Sequence, residues 1–208
     1  PELTSLSPST VQAGSGTTAI VLTGEGFMPT SQIVVNGQPV TSEYVNGTTL
    51  RLSLDSSWWP NARILSLAVT TPAPGGGTSG SLNLTVANPV PVISTLTPTS
   101  AIAGRAGLTI TVTGSGFINN ATPSRILWNG QSMATTAIDG QTLTVAIPAL
   151  QLRSPGIAAI TATTDGPGGG VSNPATFTIE APLPIISAVA PTTVAIGMPD
   201  TTIVVSGS

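Results

Sequence analysis

Thr49-Leu50-Arg51-Leu52-Ser53-Leu54 alternates polar and apolar residues at every step, and 93 residues further on the pattern returns as Thr142-Leu143-Thr144-Val145-Ala146-Ile147. A period of two lays one side of an extended strand on a core and leaves the other in water. Working outward, Ile20/Leu22 answers Ile110/Val112 and Ile203/Val205, Leu65/Leu67/Val69 answers Ala158/Ile160/Ala162, and Leu82/Leu84/Val86 answers Ala175/Phe177/Ile179. No segment shows a helical period. Asn36-Gly37 and Asn129-Gly130 mark one tight hairpin at matching positions, and Asn46-Gly47 and Asp139-Gly140 mark the next. About seven short strands in each repeat, separated by Gly, Pro and Asn turns, predict an all-β chain of tandem immunoglobulin-like β-sandwiches.

The repeat sets the domain organisation. Pro1-Glu2-Leu3-Thr4-Ser5-Leu6-Ser7-Pro8 recurs as Pro91-Val92-Ile93-Ser94-Thr95-Leu96-Thr97-Pro98 and again as Pro184-Ile185-Ile186-Ser187-Ala188-Val189-Ala190-Pro191. Thr23-Gly24-Glu25-Gly26-Phe27 returns 90 residues later as Thr113-Gly114-Ser115-Gly116-Phe117, whereas Asn36-Gly37 and Gly75-Gly76-Gly77 return after 93, so three residues are inserted between Phe117 and Asn129. The junctions Asn88-Pro89-Val90-Pro91 and Ala181-Pro182-Leu183-Pro184 are short and proline-stiffened. The expected domains are module 1 over 1–90, module 2 over 91–183 and the first strands of a third over 184–208, arranged end to end. The third copy stops where its Gly-Phe would follow, which predicts a piece of a longer array.

Composition removes most chemistries. The 208 residues hold no Cys and no His, and the five basic residues are all arginine: Arg51, Arg63, Arg105, Arg125 and Arg153. Ser-His-Asp and Cys-His nucleophile pairs, the usual zinc sites, Schiff bases, P-loops and lysine isopeptide cross-links are therefore excluded. A net charge of -3 with five scattered arginines argues against nucleic acid. The eight acids are also scattered, with no Asp-x-Asp-x-Asp-Gly calcium loop and no paired carboxylates for glycoside hydrolysis. Charged residues make up 6%, against roughly 25% in an ordinary soluble domain, and polarity comes instead from 22 Ser and 33 Thr. No apolar run approaches the roughly 20 residues of a membrane-spanning helix, and Pro1-Glu2-Leu3 opens without a signal peptide, so a leader would lie upstream. No cofactor, metal, nucleic acid or membrane insertion is expected.

The ordered set Pro-x-Ile-Ser-x-Leu-x-Pro, Gly-x-Gly-Phe, Val/Trp-Asn-Gly and Pro-Gly-Gly-Gly, present in both copies, resembles the IPT/TIG family in its bacterial tandem-repeat form, over all 208 residues. The resemblance implies an early-set immunoglobulin-like sandwich without catalytic residues, in a secreted or cell-surface bacterial protein. Transcription-factor members of the family contact DNA or dimerise, a role that the acidic balance and missing lysines argue against here. Plexin-like members carry cysteines that this chain lacks.

Three groups of residues are candidate contacts. Trp58-Trp59-Pro60 follows the Leu50–Leu54 strand, opposite Gln151-Leu152-Arg153 in the second copy. Adjacent residues do not easily both point inward, so the pair is either core and module contact or, through Trp58 and Trp59, a stacking platform for a sugar ring. The loop tips Gly75, Gly76, Gly77 and Gly168, Gly169, Gly170 are either plain connectors, places where another backbone approaches closely, or ligand contacts. Thr201, Thr202, Ile203, Val204, Val205 and Ser206 form an expected strand with open edges, fit to pair with another copy. Gly24 and Gly26, with Gly114 and Gly116, read as a bend beside a core Phe rather than a phosphate turn, since no helix follows. Asn46-Gly47-Thr48, Asn83-Leu84-Thr85 and Asn120-Ala121-Thr122 match the glycosylation sequon without further meaning in so Thr-rich a chain.

Two functions follow. The first is a structural segment of an extracellular stalk, adhesin shaft or filament, with copies of itself or further modules as partners. The second is a carbohydrate-binding accessory module of a secreted hydrolase, taking a cell-surface glycan on Trp58 and Trp59.

Overall fold

A computed structural model describes every residue from Pro1 to Ser208. The first repeat folds into ten strands: β1 (Glu2–Ser7), β2 (Thr10–Gln12), β3 (Thr18–Glu25), β4 (Gln32–Val35), β5 (Gln38–Val40), β6 (Ser42–Asn46), β7 (Thr49–Leu54), β8 (Arg63–Thr71), β9 (Gly77–Thr78) and β10 (Leu82–Ala87). The second repeats them as β11 (Val92–Thr97), β12 (Ser100–Ile102), β13 (Leu108–Ser115), β14 (Arg125–Trp128), β15 (Gln131–Ser132), β16 (Ala134–Ala137), β17 (Thr142–Ile147), β18 (Gly156–Thr164), β19 (Gly170–Val171) and β20 (Ala175–Glu180). In each, a four-stranded sheet (β1-β3-β7-β6; β11-β13-β17-β16) faces a six-stranded one (β2-β10-β8-β4-β5 with β9 on β8; β12-β20-β18-β14-β15 with β19 on β18). Two facing sheets of this kind make the expected immunoglobulin-like sandwich.

The alternation in the sequence is what closes each core. Leu50, Leu52, Leu65, Leu67, Val69, Leu84 and Val86 are fully or almost fully buried in the first sandwich, as are Leu143, Val145, Ala158, Ile160, Ala162 and Phe177 in the second. Each repeat has its own apolar cluster, running from Leu3 to Val86 and from Ile93 to Ile179. Trp128 lies in the second cluster, its ring tilted against Phe177 with centroids 5.4 Å apart.

Local devices repeat with the sequence. Gly24 and Gly114 sit where a Cβ would stand 1.9 Å from the carbonyl oxygens of Glu2 and Val92, opposite a register shift in the facing strand. Phe27 and Phe117 are buried beside them. The Asn36-Gly37 and Asn129-Gly130 turns have φ of 48° and 82°, and 48° and 83°, the left-handed pair a two-residue hairpin needs. The second pair of turns is built otherwise. Gly47 and Gly140 are not left-handed, and the Asn46 and Asp139 side chains close the turns by accepting from Thr48 N and Gln141 N. The three inserted residues lie between Ile118 and Ser124, because Ser124 bonds Ile118 and Thr164 as Ser31 bonds Met28 and Thr71.

Candidate functional site at the junction of the two modules

The paired tryptophans do not form a platform. Asp55 caps the single 3-10 turn Ser56–Trp58, accepting from Ser57 N at 2.9 Å and from Ser57 Oγ. These bonds hold its carboxyl below the usual carboxylate range. The turn carries Trp59 into the core, where it is 0% exposed and its Nε1 donates to the Ser15 carbonyl at 2.9 Å. Its own carbonyl accepts from Gly14 N, as that of Leu152 accepts from Gly104 N, so Leu152 is its counterpart. Trp58 is half-buried against the same cluster. Trp59 can therefore offer no ring to a sugar, and the binding expected of the pair loses one of its two faces.

The glycine loops differ between the modules. Gly75 and Gly77 have φ of 75° and 139° with nothing within 4 Å of a Cβ placed on either, while a Cβ on Gly76 would meet its own loop at Thr71 O, 2.0 Å away. In module 2 the loop receives the linker. A Cβ on Gly168 would stand 2.6 Å from Asn88 O and 2.7 Å from Ala87 Cβ. Asn88 N donates to Pro167 O at 2.8 Å, Gly169 N donates to Asn88 O at 2.9 Å, and Asn88 Nδ2 donates to Asp165 O at 2.9 Å. Asn88 and Gly168 thus form a one-residue parallel bridge. On the other side of the linker a Cβ on Gly116 would lie 2.9 Å from Val90 O and 3.4 Å from Pro89 Cβ. Gly170 (φ 125°) leads from the loop into β19.

Side chains complete the junction. Arg125 grips the Asp165 carboxylate through both terminal nitrogens, at 2.8 and 3.1 Å. That pair is half exposed and worth about 0–1 kcal/mol; what it does is steady the residue whose carbonyl takes the Asn88 amide. Asn120, in the loop lengthened by three residues, donates through Nδ2 to Asn61 Oδ1 of module 1 at 2.8 Å. Asn88 is 7% exposed, and its Oδ1 is buried without a protein partner at the polar cleft formed by Asn61, Asn120 and Thr122. The chemistry on offer is hydrogen bonding between backbones; no three His, Cys, Asp or Glu side chains gather as a metal site.

The sequence pointed to the loop tips but not to Asn61, Asn88 and Asn120. Two signals were available. The insertion gives module 2 a feature that module 1 lacks, and Asp165-Gly166 replaces Pro72-Ala73 at the root of the loop.

The last segment is a hairpin of β21 (Ile186–Ala190) and β22 (Val204–Gly207). It copies the β1–β3 pair, with the same register shift and with Gly207 placed 2.1 Å from Ile185 O by the same measure. The strand expected over 201–206 starts three residues late. Thr18–Ile20, the counterparts of Thr201–Ile203, pair with β7 and not with β1, and the tail holds no copy of β7. One edge of β22 is taken by β21 of the same chain, which corrects the expectation of two open edges. Every residue from Ala181 to Ser208 is exposed.

Against known proteins, the IPT/TIG domain model matches twice, over residues 1–89 and 91–179. No curated protein matches the sequence at a significant level. Among solved structures, the Yersinia pseudotuberculosis adhesin InvE is 11% identical at a TM-score of 0.46, over 84% of this chain and 57% of that one. A Bacteroides ovatus protein, SGBP-B of the mixed-linkage glucan utilization locus in complex with a mixed-linkage heptasaccharide, is 17% identical at 0.33, over 93% and 49%. The plexin A4 extracellular region is 13% identical at 0.37, over 86% and 18%. The chain spans less than two thirds of each. No helix is long and apolar enough to cross a membrane.

Proposed function

The chain belongs to the IPT/TIG domain family, and on that premise we propose that it is a load-transmitting segment of a secreted or cell-surface bacterial repeat protein, its modules serving as stiff spacers. The units are residues 1–90 and 91–183, with 184–208 beginning a third. The observation that carries this reading is the seating of Asn88 in the Gly168–Gly170 loop. A flexible tether would leave the linker backbone to water, whereas here both its N–H and its C=O are bonded to the next module. Pro89 and Pro91 on either side of Val90 remove further freedom. The partners this implies are further modules of the same kind. Trp59, buried in the core, gives the glycan-binding alternative no support.

Small-angle scattering on the 208-residue chain tests the end-to-end arrangement. A single globule of this length has a radius of gyration of about 17 Å. The reading predicts a value well above that, with a pair-distance distribution tailing to long distances; a value near it would dismiss the spacer.

A further inference from the structure

The junction binds its linker between two glycine positions of the following module, Gly168 on one side and Gly116 on the other. Module 1 carries the same pair. Gly75 and Gly26 have φ of 75° and 69°, against 71° and 71° for Gly168 and Gly116. The carbonyl and amide that hold Asn88, Pro167 O and Gly169 N, correspond to Pro74 O and Gly76 N, neither of which makes a backbone hydrogen bond. We infer that this end of module 1 is a socket of the same kind, built to take the linker of another IPT/TIG module joined ahead of it, head to tail.

The occupant follows from register. Asn88 stands three residues ahead of Pro91, the counterpart of Pro1, so the seated residue belongs three positions before Pro1. It is recognised by its backbone, one N–H to Pro74 O and one C=O to Gly76 N–H. A side-chain amide there would reach the carbonyl of Pro72, as Asn88 reaches that of Asp165. Close approach needs a loop without Cβ atoms, which Gly75 supplies although nothing in its own module crowds it. Beside the exchange of Pro72-Ala73 for Asp165-Gly166 at their root, the two loops differ in the backbone of one glycine. Gly169 has a φ of 67°, whereas Gly76 lies outside the left-handed range. Glycine crosses between these regions at little cost, so seating a linker turns the Gly76 amide toward it. A head-to-tail partner is favoured over a second free copy because the seated residue directly follows β10, and chain continuity delivers it at the correct register.

The inference rests on reading the Asn88 junction as a lock, and the test separates the two. Residues 1–90 are placed ahead of the 208-residue chain, so that Asn88-Pro89-Val90 runs into Pro1, and amide exchange is followed by NMR. The extended chain holds two copies of Gly76, only one of which meets a linker. The inference predicts two Gly76 signals, one exchanging as in the 208-residue chain and one slowed on the order of tenfold or more toward the behaviour of Gly169. Gly75→Val in the second copy should abolish the slowing. The same change in the first copy, which bears the same backbone strain, should leave it. Two Gly76 signals both exchanging as before, with Gly169 still protected, would overturn the inference and leave the lock standing. An unprotected Gly169 in the 208-residue chain would overturn both. Concentration-dependent protection of Gly76 in that chain would overturn the head-to-tail assignment in favour of docking between copies.

Discussion

Trp59 shows how one residue's burial removes a candidate binding surface. Its ring is fully enclosed and its Nε1 is satisfied by Ser15 O, so Trp59→Ala removes a core side chain and orphans an acceptor. The expected cost is about 3–5 kcal/mol for module 1 in a denaturant melt, with the module 2 transition unmoved. Trp58→Ala, which empties only a half-buried position, should cost clearly less. The pair was ambiguous in the sequence because two adjacent tryptophans break the period of two; the 3-10 turn that turns one inward is announced only by Asp55 and Ser57. Asp55 also carries a pH signature. Its carboxyl is held low by the two Ser57 bonds, so the cap supports the turn at neutral pH and is lost as pH falls through the lowered value. Asp55→Asn keeps an accepting oxygen without the titration, and thermal melts should show it flattening the loss of module 1 stability as the pH falls below about 4, the ordinary aspartate value.

Strands were legible wherever both their partners are encoded in the chain. Alternation located β7, β8, β10, β17, β18 and β20, and the Asn-Gly pairs located the β4–β5 and β14–β15 turns. It failed at the tail, where Thr201–Ile203 alternate as β3 does but have no strand to pair with. A two-stranded ribbon with every residue exposed is marginal in water. Amides of Val204–Gly207 should therefore exchange near the unprotected limit while those of Val21–Thr23, paired on both edges, stay protected. Strong protection over 204–207 would reveal a further partner at the free edge of β22 and would favour pairing between copies through Thr201–Ser206.

Between the modules a few directional bonds hold the junction. The seat of Asn88 consists of three hydrogen bonds, each worth about 0.5–1.5 kcal/mol net, backed by the Asn120–Asn61 contact from the lengthened loop. Periodicity could not disclose this site. It depends on where a loop meets a linker 77 residues away in sequence, and on glycines whose role appears only when the neighbouring backbone is in view. Proline content suggested a stiff linker; the structure adds the mechanism, a linker residue pinned into the following module. Residual dipolar couplings measured on both modules in one weakly aligned sample test this most directly. A locked junction predicts that a single alignment tensor fits the amides of residues 2–87 and 92–180 together, and that Gly168→Val, which drives a side chain into Asn88 O, splits the fit in two. Separate tensors of different magnitude in the unaltered chain would contradict it, showing two beads on a free tether.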